Sequence, residues 1–130
     1  MRTLQPEGWP RPRGYSNGIE AEGKLVFVAG QIGWDETRKF SSTDFSVQFR
    51  RVLSNTLKVL KEASAGPEHI TRMTWFVTSR DEYMASLTEL GATWKELMGR
   101  HYPAMAVIIV AGLVEPEAKI EIETTAVVPN

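Results

Sequence analysis

Three segments of the chain, 25–29, 73–78 and 105–111, are apolar at nearly every position. Their β-branched and aromatic residues predict strands. Because successive side chains of a strand point to opposite faces of its sheet, a strand that is apolar throughout needs cover on both faces. One layer of helices covers only one face. We therefore expect self-association, with the sheets of several subunits packed together.

Helical periodicity is present in two segments between these strands. Apolar residues recur at helical spacing over about 44–64, which predicts a first helix with Ser42 or Thr43 as its cap and Asp44 in its first turn. A capping-box pattern opens a second predicted helix over about 79–98. Each helix carries one apolar stripe, and the two together are expected to cover one face of the sheet.

The remaining strands complete the predicted sheet. A short strand over 19–21 is expected to form a hairpin with 25–28. Strands are also predicted over 70–78 and 104–113, the second of them a buried strand. The last strand, 120–128, alternates between apolar and polar positions for most of its length.

The resulting order of elements is β-β-α-β-α-β-β. It indicates one two-layer α+β domain over residues 1–130, with a mixed sheet and two helices on one face. Residues 1–14 are rich in Pro and Gly and have no periodicity, so we expect them to form an extended arm. The hydrophobic fraction of 42% is sufficient for one core.

The composition argues against several classes of protein. The 15 basic and 16 acidic residues give a formal net charge of -1, which leaves no basic excess for nucleic-acid phosphates. Cysteine is absent, so disulfides, thiolate metal sites and a cysteine nucleophile are excluded. No apolar run reaches the roughly 20 residues of a membrane span, and the N-terminus lacks the apolar core of a signal peptide. We expect a soluble cytoplasmic protein without a membrane partner, a metal or a cofactor.

Few residues are candidates for chemistry. His69 and His101 fall in different predicted loops and are expected to be solvated rather than to bind a metal. Glu121 and Glu123 are two positions apart on the last strand, so their side chains share a face. They form either a solvent-facing strand surface or a pair of carboxylates in a cleft, where desolvation would let one of them move protons at neutral pH. The Tyr15-Ser16 pair either presents a hydroxyl to a site or anchors the arm.

Six segments resemble, in order and spacing, the RidA/YjgF family. They span residues 12–128 and read RGYSNGI, VFVAGQIGWD, FRRVLSNTLKVLKEA, TWFVTSRDEY, HYPAMAVIIV and IEIETTAVV. The resemblance implies a chorismate-mutase-like fold and a homotrimer whose sheets form a central barrel, with the active sites in clefts between subunits. It also implies hydrolysis of reactive enamines and imines to a keto compound and ammonia. Older names in the family include translation-inhibiting endoribonuclease and endoribonuclease L-PSP.

The family's site residues are matched in part. By resemblance, Glu121 is the glutamate that positions or activates water, and it is the predicted catalytic residue. Ala29 replaces the serine of a Ser-Gly-Gln motif, and Leu87 falls on an asparagine of the second helix. The predicted substrate-binding residues are Tyr15, Ala29, Gly30, Gln31, Trp34, Leu87 and Met105.

Met105 differs most from the family pattern. By resemblance, it occupies the position of the arginine in the family's Tyr-Pro-Ala-Arg motif, which binds the substrate carboxylate. A guanidinium holds a carboxylate with two charge-assisted hydrogen bonds, whereas methionine offers a weakly accepting sulfur and apolar area. We therefore expect small 2-imino acids to be poor substrates and a larger, more apolar enamine or imine to be preferred. The cations considered for any substrate charge are Arg72, Arg80 and Lys119.

Three functions remain open from the sequence. The first is a hydrolytic deaminase with altered, more apolar specificity, for which a 2-aminomuconate-deaminase type of reaction is one candidate. The second is a small-ligand-binding or chaperone-like protein that kept the fold and lost the chemistry. The third is an endoribonuclease or translation inhibitor, which the near-neutral charge does not support.

Overall fold

The main feature of the protein is a four-stranded mixed sheet. A computed structural model describes residues 1–130. The strands of the chain are β1 (Arg2–Leu4), β2 (Gly18–Glu20), β3 (Lys24–Ile32), β4 (Ile70–Val77), β5 (Ala104–Ile109) and β6 (Ile120–Val128). The order in the main sheet is β3-β6-β4-β5. The central strand β6 is antiparallel to both of its neighbours, and β4 runs parallel to β5. The predicted α+β class with a mixed sheet is confirmed.

The N-terminal segment departs from the prediction. Strand β2 pairs with β1, with Thr3 opposite Ile19, so the predicted hairpin between 19–21 and 25–28 is wrong. Strand β6 offers β3 a partner along nearly its whole length, whereas β2 has only three residues. The expected arm 1–14 therefore contains a short strand of its own.

The helices are α1 (Phe45–Glu62), α2 (Arg80–Ala85) and α3 (Leu87–Met98). Asp44, expected inside the first turn of α1, is its N-cap, and its carboxylate accepts the Val47 N–H at 3.1 Å. Ser42 instead accepts the N–H of Asp44 at 2.9 Å, so neither Ser42 nor Thr43 is the cap. Hydrogen bonds from the Ser46 side chain and the Val47 backbone hold the pKa of Asp44 below its usual range.

None of the helices combines the length and the apolar character that a membrane-spanning helix needs.

The second predicted helix is divided at Ser86. This residue ends α2 and precedes α3, and its hydroxyl donates to the Glu82 carbonyl at 2.7 Å. The predicted capping by Ser79 is confirmed, because its hydroxyl oxygen accepts the Glu82 N–H at 3.1 Å. The side chain of Glu82, however, binds Lys119 at 3.0 Å. A hydroxyl that bonds back to the preceding turn favours such an interruption.

Helices α1 and α3 cover one face of the sheet, and the core lies between them and that face. The buried residues that form it include Phe45, Phe49, Val52, Leu53 and Leu60 of α1, Met73, Trp75 and Val77 of β4, Leu90, Trp94 and Met98 of α3, and Ile120, Ile122 and Ala126 of β6. Gln48 is 1% exposed. Its amide donates to the carbonyls of Ser42 and Glu117 at 3.1 and 2.9 Å and accepts the Lys119 N–H at 2.8 Å, so this buried polar group is satisfied.

No helix covers the opposite face of the sheet, which we call the open face, and most of its residues are at least partly exposed, although Val127 is buried. Leu25 and Phe27 of β3 are 62% and 73% exposed. The predicted burial of strand β5 is also not observed in one chain: Val107, Ile108 and Ile109 are 38%, 43% and 49% exposed. Strand β5 lies at the edge of the sheet. Beyond the bridge between Ala104 and Ser16 at its start, its outer edge has no strand partner. The strand also ends at Ile109 rather than at the expected residue 113.

Candidate functional site

A cavity of about 290 Å³ lies on the helix-covered side of the sheet, where α2 and α3 approach the edge strand β5. We call it the aromatic pocket. Its lining residues are Arg13, Gly14, Tyr15, Trp75, Tyr83, Leu87, Leu90, Gly91, Trp94, Tyr102, Met105 and Val107. Three of the predicted substrate-binding residues, Tyr15, Leu87 and Met105, are therefore brought together.

Four aromatic rings give the pocket its shape. The rings of Trp75 and Trp94 stack with centroids 6.2 Å apart at 29°, and Trp94 stacks on Tyr102 at 6.2 Å and 13°. Tyr83 meets Trp75 edge to face at 6.5 Å. The Trp94 indole N–H donates to the His101 carbonyl at 3.2 Å, which fixes the central ring. Packed aromatic rings are rigid, so the pocket offers a preformed planar surface.

Helical spacing explains how α3 contributes to the lining. Leu87, Leu90, Gly91 and Trp94 recur at the intervals that place residues on one helix face. A Cβ added at Gly91 would meet no atom within 4 Å. The missing side chain at Gly91 therefore leaves open space on this face of α3.

The N-terminal arm closes one side of the pocket. Ser16 is 8% exposed. Its hydroxyl donates to the Tyr102 carbonyl, and its N–H donates to the Pro103 carbonyl at 3.0 Å. Ser16 thus anchors the arm beside the start of β5, and Tyr15 lines the pocket. Of the two roles considered for the Tyr15-Ser16 pair, Ser16 fulfils the anchoring role, and a Tyr15 hydroxyl presented to a site stays a prediction.

The pocket contains no carboxylate among its lining residues, and Arg13 is its one formally charged side chain. Burial raises the pKa of the Tyr83 phenol above its ordinary value. Tyr83 therefore stays protonated at neutral pH and can donate a hydrogen bond. The pocket suits an apolar or aromatic group that carries an acceptor.

Glu121 lies elsewhere, on the open face. It is half-buried and stands opposite Phe76 of β4. A Cβ added at Gly30 would overlap the Glu121 carboxylate, so the glycine leaves the space that the carboxylate occupies. Glu121 and Glu123 share this face as predicted, and neither carboxylate has a hydrogen-bond or ion-pair partner in the chain.

The other predicted residues lie in two further depressions. Ala29 borders one on the open face, together with Arg72 and Glu123. Gln31 and Trp34 border another, at the end of β3 beside α1. Within one chain the predicted site is thus divided among separate places.

None of the cations considered for a substrate charge lines the aromatic pocket. Lys119 is paired with Glu82, Arg72 borders the depression on the open face, and Arg80 is exposed at the start of α2. The cation that does reach the pocket, Arg13, was not predicted, and neither were the rings of Trp75, Tyr83 and Tyr102. The only sequence signal was the position of Arg13 two residues before Tyr15.

The two histidines differ in their surroundings, because the His69 side chain makes a hydrogen bond and the His101 side chain is exposed as expected. The Nδ1 atom of His69 accepts the Gly66 N–H at 3.0 Å in the short turn that precedes β4, which makes this residue a cap rather than a solvated loop side chain. The His101 carbonyl binds Trp94. No three residues among His, Asp and Glu are grouped so that they could hold a metal ion.

Comparisons with known proteins match this chain over nearly its whole length. The sequence profile of the family described as endoribonuclease L-PSP matches residues 10–128. A RutC family protein of Synechocystis is 32% identical over 133 residues, which cover 100% of this chain and 98% of the relative. A protein of the conserved Rid family from Yersinia pestis has a structure with a TM-score of 0.85 and 30% identity over 98% of both chains. RidA from a Psychrobacter species, at 24% identity and a TM-score of 0.71, covers 98% of this chain and is matched over 100% of its own; this likeness concerns the fold.

Proposed function

The chain belongs to the RidA/YjgF family, and we propose that it hydrolyses reactive enamine or imine intermediates to a keto compound and ammonia. In this proposal the aromatic pocket of one subunit binds the substrate, and Glu121 of a neighbouring subunit in a homotrimer activates water. The altered lining favours substrates that are more apolar than small 2-imino acids.

The observation that carries the proposal is the division of the site between the two faces of one sheet. Met105 lies in register with buried Met73, and Glu121 lies in register with Phe76. Positions 73 and 76 of a strand point to opposite faces. A carboxylate on the open face cannot reach a ligand on the covered face of the same chain, so a site that uses both needs a second subunit.

The exposed apolar residues support such an assembly. Leu25, Phe27 and Ile108 on the open face are 62%, 73% and 43% exposed. Leu25 and Phe27 lie on the edge strand β3 and Ile108 lies on the opposite edge strand β5. Exposed apolar side chains of this size are typical of an interface between subunits. Met84 and Leu87, which are 46% and 44% exposed beside the aromatic pocket, provide a second apolar patch for a neighbour.

The proposed reaction needs one proton acceptor and one donor. The carboxylate of Glu121 takes a proton from water while the water oxygen attacks the carbon of the C=N bond. Glu121 then returns this proton to the nitrogen, the nitrogen takes the proton of the added hydroxyl group as the C–N bond breaks, and the products are a keto compound and ammonia. The protonated Tyr83 phenol lies in the pocket and supplies a hydrogen bond to the bound substrate.

Met105 sets the specificity in this proposal. Losing a hydrogen bond to a charged group costs about 1.5–3 kcal/mol, which is roughly tenfold to more than a hundredfold in affinity or rate. A methionine at this position also adds apolar contact area. Small 2-imino acids therefore lose their main contact, whereas a substrate with an apolar body gains one.

The experiment is ammonia release from a panel of freshly generated imines. Glu121→Gln keeps the size of the side chain and removes its basicity, so the rate should fall by about 100-fold to 10,000-fold. Glu123→Gln is the matched control, because it changes the same group on the same face two positions away, and it should leave the rate unchanged. Equal rates for wild type and Glu121→Gln would refute the role of Glu121.

A subunit-mixing experiment tests the shared cleft. Gly91→Phe fills the aromatic pocket of a chain that keeps Glu121, and Glu121→Gln leaves a chain with an intact pocket. Each variant alone should be inactive. Random trimers unfolded and refolded together should recover roughly a quarter of the wild-type activity, since one subunit then supplies the pocket and its neighbour the carboxylate. No recovery would mean that both residues act within one chain.

A second candidate is a non-catalytic protein that binds small ligands in the same pocket. The observation that favours it is the absence of a carboxylate from the pocket lining. Ligand binding without ammonia release from any imine of the panel would support this alternative over the deaminase.

A further inference from the structure

The aromatic pocket does not end at Tyr15 and Tyr102. A second depression, of about 540 Å³, shares Gly14, Tyr15 and Tyr102 with it. Arg11 and Arg100 line this second depression, and we call it the basic compartment. The two spaces are therefore neighbours, and Gly14 and Tyr15 of the arm, together with Tyr102, line both of them.

Three arginines line this double cleft, and no acidic residue lines it. Arg13 lines the aromatic pocket, and Arg11 and Arg100 line the basic compartment. Neither lining contains an Asp or a Glu, and none of the three guanidinium groups forms an ion pair in the chain. The protein as a whole has a net charge of -1, so the local excess of positive charge is a property of this site.

We propose that the double cleft binds an aromatic organic anion, with the ring in the aromatic pocket and the carboxylate held by Arg13 instead of by a residue at position 105. This inference rests on the proposed function, and it specifies the substrate as an imine that carries both an aromatic group and a carboxylate.

The arm gives Arg13 a defined position. Ser16 ties the arm to the Tyr102 and Pro103 carbonyls, three residues after Arg13. Gly14 between Arg13 and Tyr15 has φ 79, in the left-handed region that favours glycine. Both of its neighbours line the aromatic pocket. The arm thereby supplies a cation at the mouth of a pocket in which Met105 supplies none.

The shape and chemistry of the lining select the ligand. A cavity of about 290 Å³ suits a single aromatic ring with a short chain. The stacked rings of Trp94 and Tyr102 offer a planar surface for this ring, and a guanidinium binds a carboxylate with two parallel hydrogen bonds. Hydrolysis of such an imine consumes one water and gives an aromatic 2-keto acid and ammonia.

The test measures binding of stable keto compounds, which need no turnover. The probes are phenylpyruvate, pyruvate, which lacks the ring, and phenylacetone, which lacks the carboxylate. Calorimetry on the native assembly should give phenylpyruvate at least roughly a tenfold higher affinity than either partial probe. Similar affinities for all three probes would overturn the inference.

Variants then assign the contacts. Arg13→Gln should lower the affinity for phenylpyruvate about tenfold or more and leave phenylacetone unchanged. Arg80→Gln is the matched control, because Arg80 is exposed and lies outside both linings, and it should change neither. Gly91→Phe should abolish binding of both aromatic probes. If Arg13→Gln weakens both aromatic probes equally, or neither, Arg13 does not bind the carboxylate and the inference fails.

Two further outcomes separate this inference from its premise. Binding of phenylpyruvate that depends on Arg13, without ammonia release from any imine, would support the anion site and refute the deaminase. A short RNA oligonucleotide that binds through Arg11, Arg13 and Arg100 while phenylpyruvate does not bind would overturn the inference in favour of a nucleic-acid surface.

Discussion

The two faces of the sheet differ in both composition and burial, because the covered face is almost wholly apolar and the open face mixes exposed apolar side chains with Arg72, Glu121 and Glu123. Val28 and Phe27 are neighbours on β3, yet the first is 4% exposed and the second 73%. On β6, Ile122 is buried in the core and Glu121 lies on the open face. The helix-covered face holds the core and the aromatic pocket, whereas the open face holds Glu121 and has no helix over it. One chain therefore completes its core on one face only, and the proposed site, which uses both Met105 and Glu121, requires a second subunit.

The largest effect is expected from a charge on the open face. If neighbouring subunits bury Phe27, Phe27→Asp places an unpaired carboxylate in their interface, which costs several kcal/mol. The trimer dissociation constant should rise by at least about a hundredfold, and light scattering on a sizing column should show monomers. Val47→Asp is the matched control on the outer side of α1, where Val47 is 46% exposed, and it should leave the assembly intact. An unchanged Phe27→Asp assembly would mean that the open face is not the interface.

The second-largest effect comes from the same leucine-to-alanine substitution made in the core, on the covered side of the sheet, and on the open face. Leu53 is 0% exposed and Leu25 is 62% exposed. Leu53→Ala should lower the free energy of unfolding by about 2–5 kcal/mol, and Leu25→Ala should change it by less than about 1 kcal/mol when both are made in the monomeric Phe27→Asp background. Urea unfolding provides the measurement. Equal losses would show that the open face is covered within a single chain.

The smallest effect concerns the cap of the helix that covers the core. Asp44→Ala removes the acceptor for the Val47 N–H, which should cost about 1 kcal/mol near neutral pH. Because the folded pKa of Asp44 lies below 3.8, the ionised carboxylate stabilises the fold above that pH, and this stabilisation is lost as the pH falls through the folded pKa. The difference in the free energy of unfolding between wild type and Asp44→Ala, measured with urea, should therefore become smaller below about pH 3.8. Asp44→Asn, which keeps an acceptor, should lose less at neutral pH, and a gap that does not depend on pH would contradict the assigned pKa.

Much of the fold could be predicted because its signals are local. The alternation of β6 placed Glu121 and Glu123 on one face, and the spacing of apolar residues located α1 to within two residues of its ends. The strand pairing was predicted wrongly where more than one strand could pair with the same neighbour. Strand β2 was assigned to the nearest strand in sequence, but β3 forms a longer ladder with β6 and leaves β2 to β1.

The candidate site could be predicted only in part. The resemblance to the family selected Tyr15, Leu87 and Met105, and the structure brings these three together in one pocket. The roles of all the predicted site residues stay predictions, and Glu121, Ala29, Gly30, Gln31 and Trp34 lie outside that pocket in a single chain. Arg13 carried no periodic signal, so its position at the pocket could not be foreseen.

The sequence by itself determined most of the strands, the helical segments, the apolar character of several strands on both faces, and the absence of an arginine at position 105. These properties follow from hydrophobic periodicity and residue identity, which act over a few neighbouring residues. Only the tertiary structure decided that Trp75, Tyr83, Trp94 and Tyr102 form one pocket, that Arg13 stands at its mouth, and that Met105 and Glu121 lie on opposite faces. The physical reason is that these relations depend on strand register and on the path of the arm, which are set by contacts between residues distant in the chain.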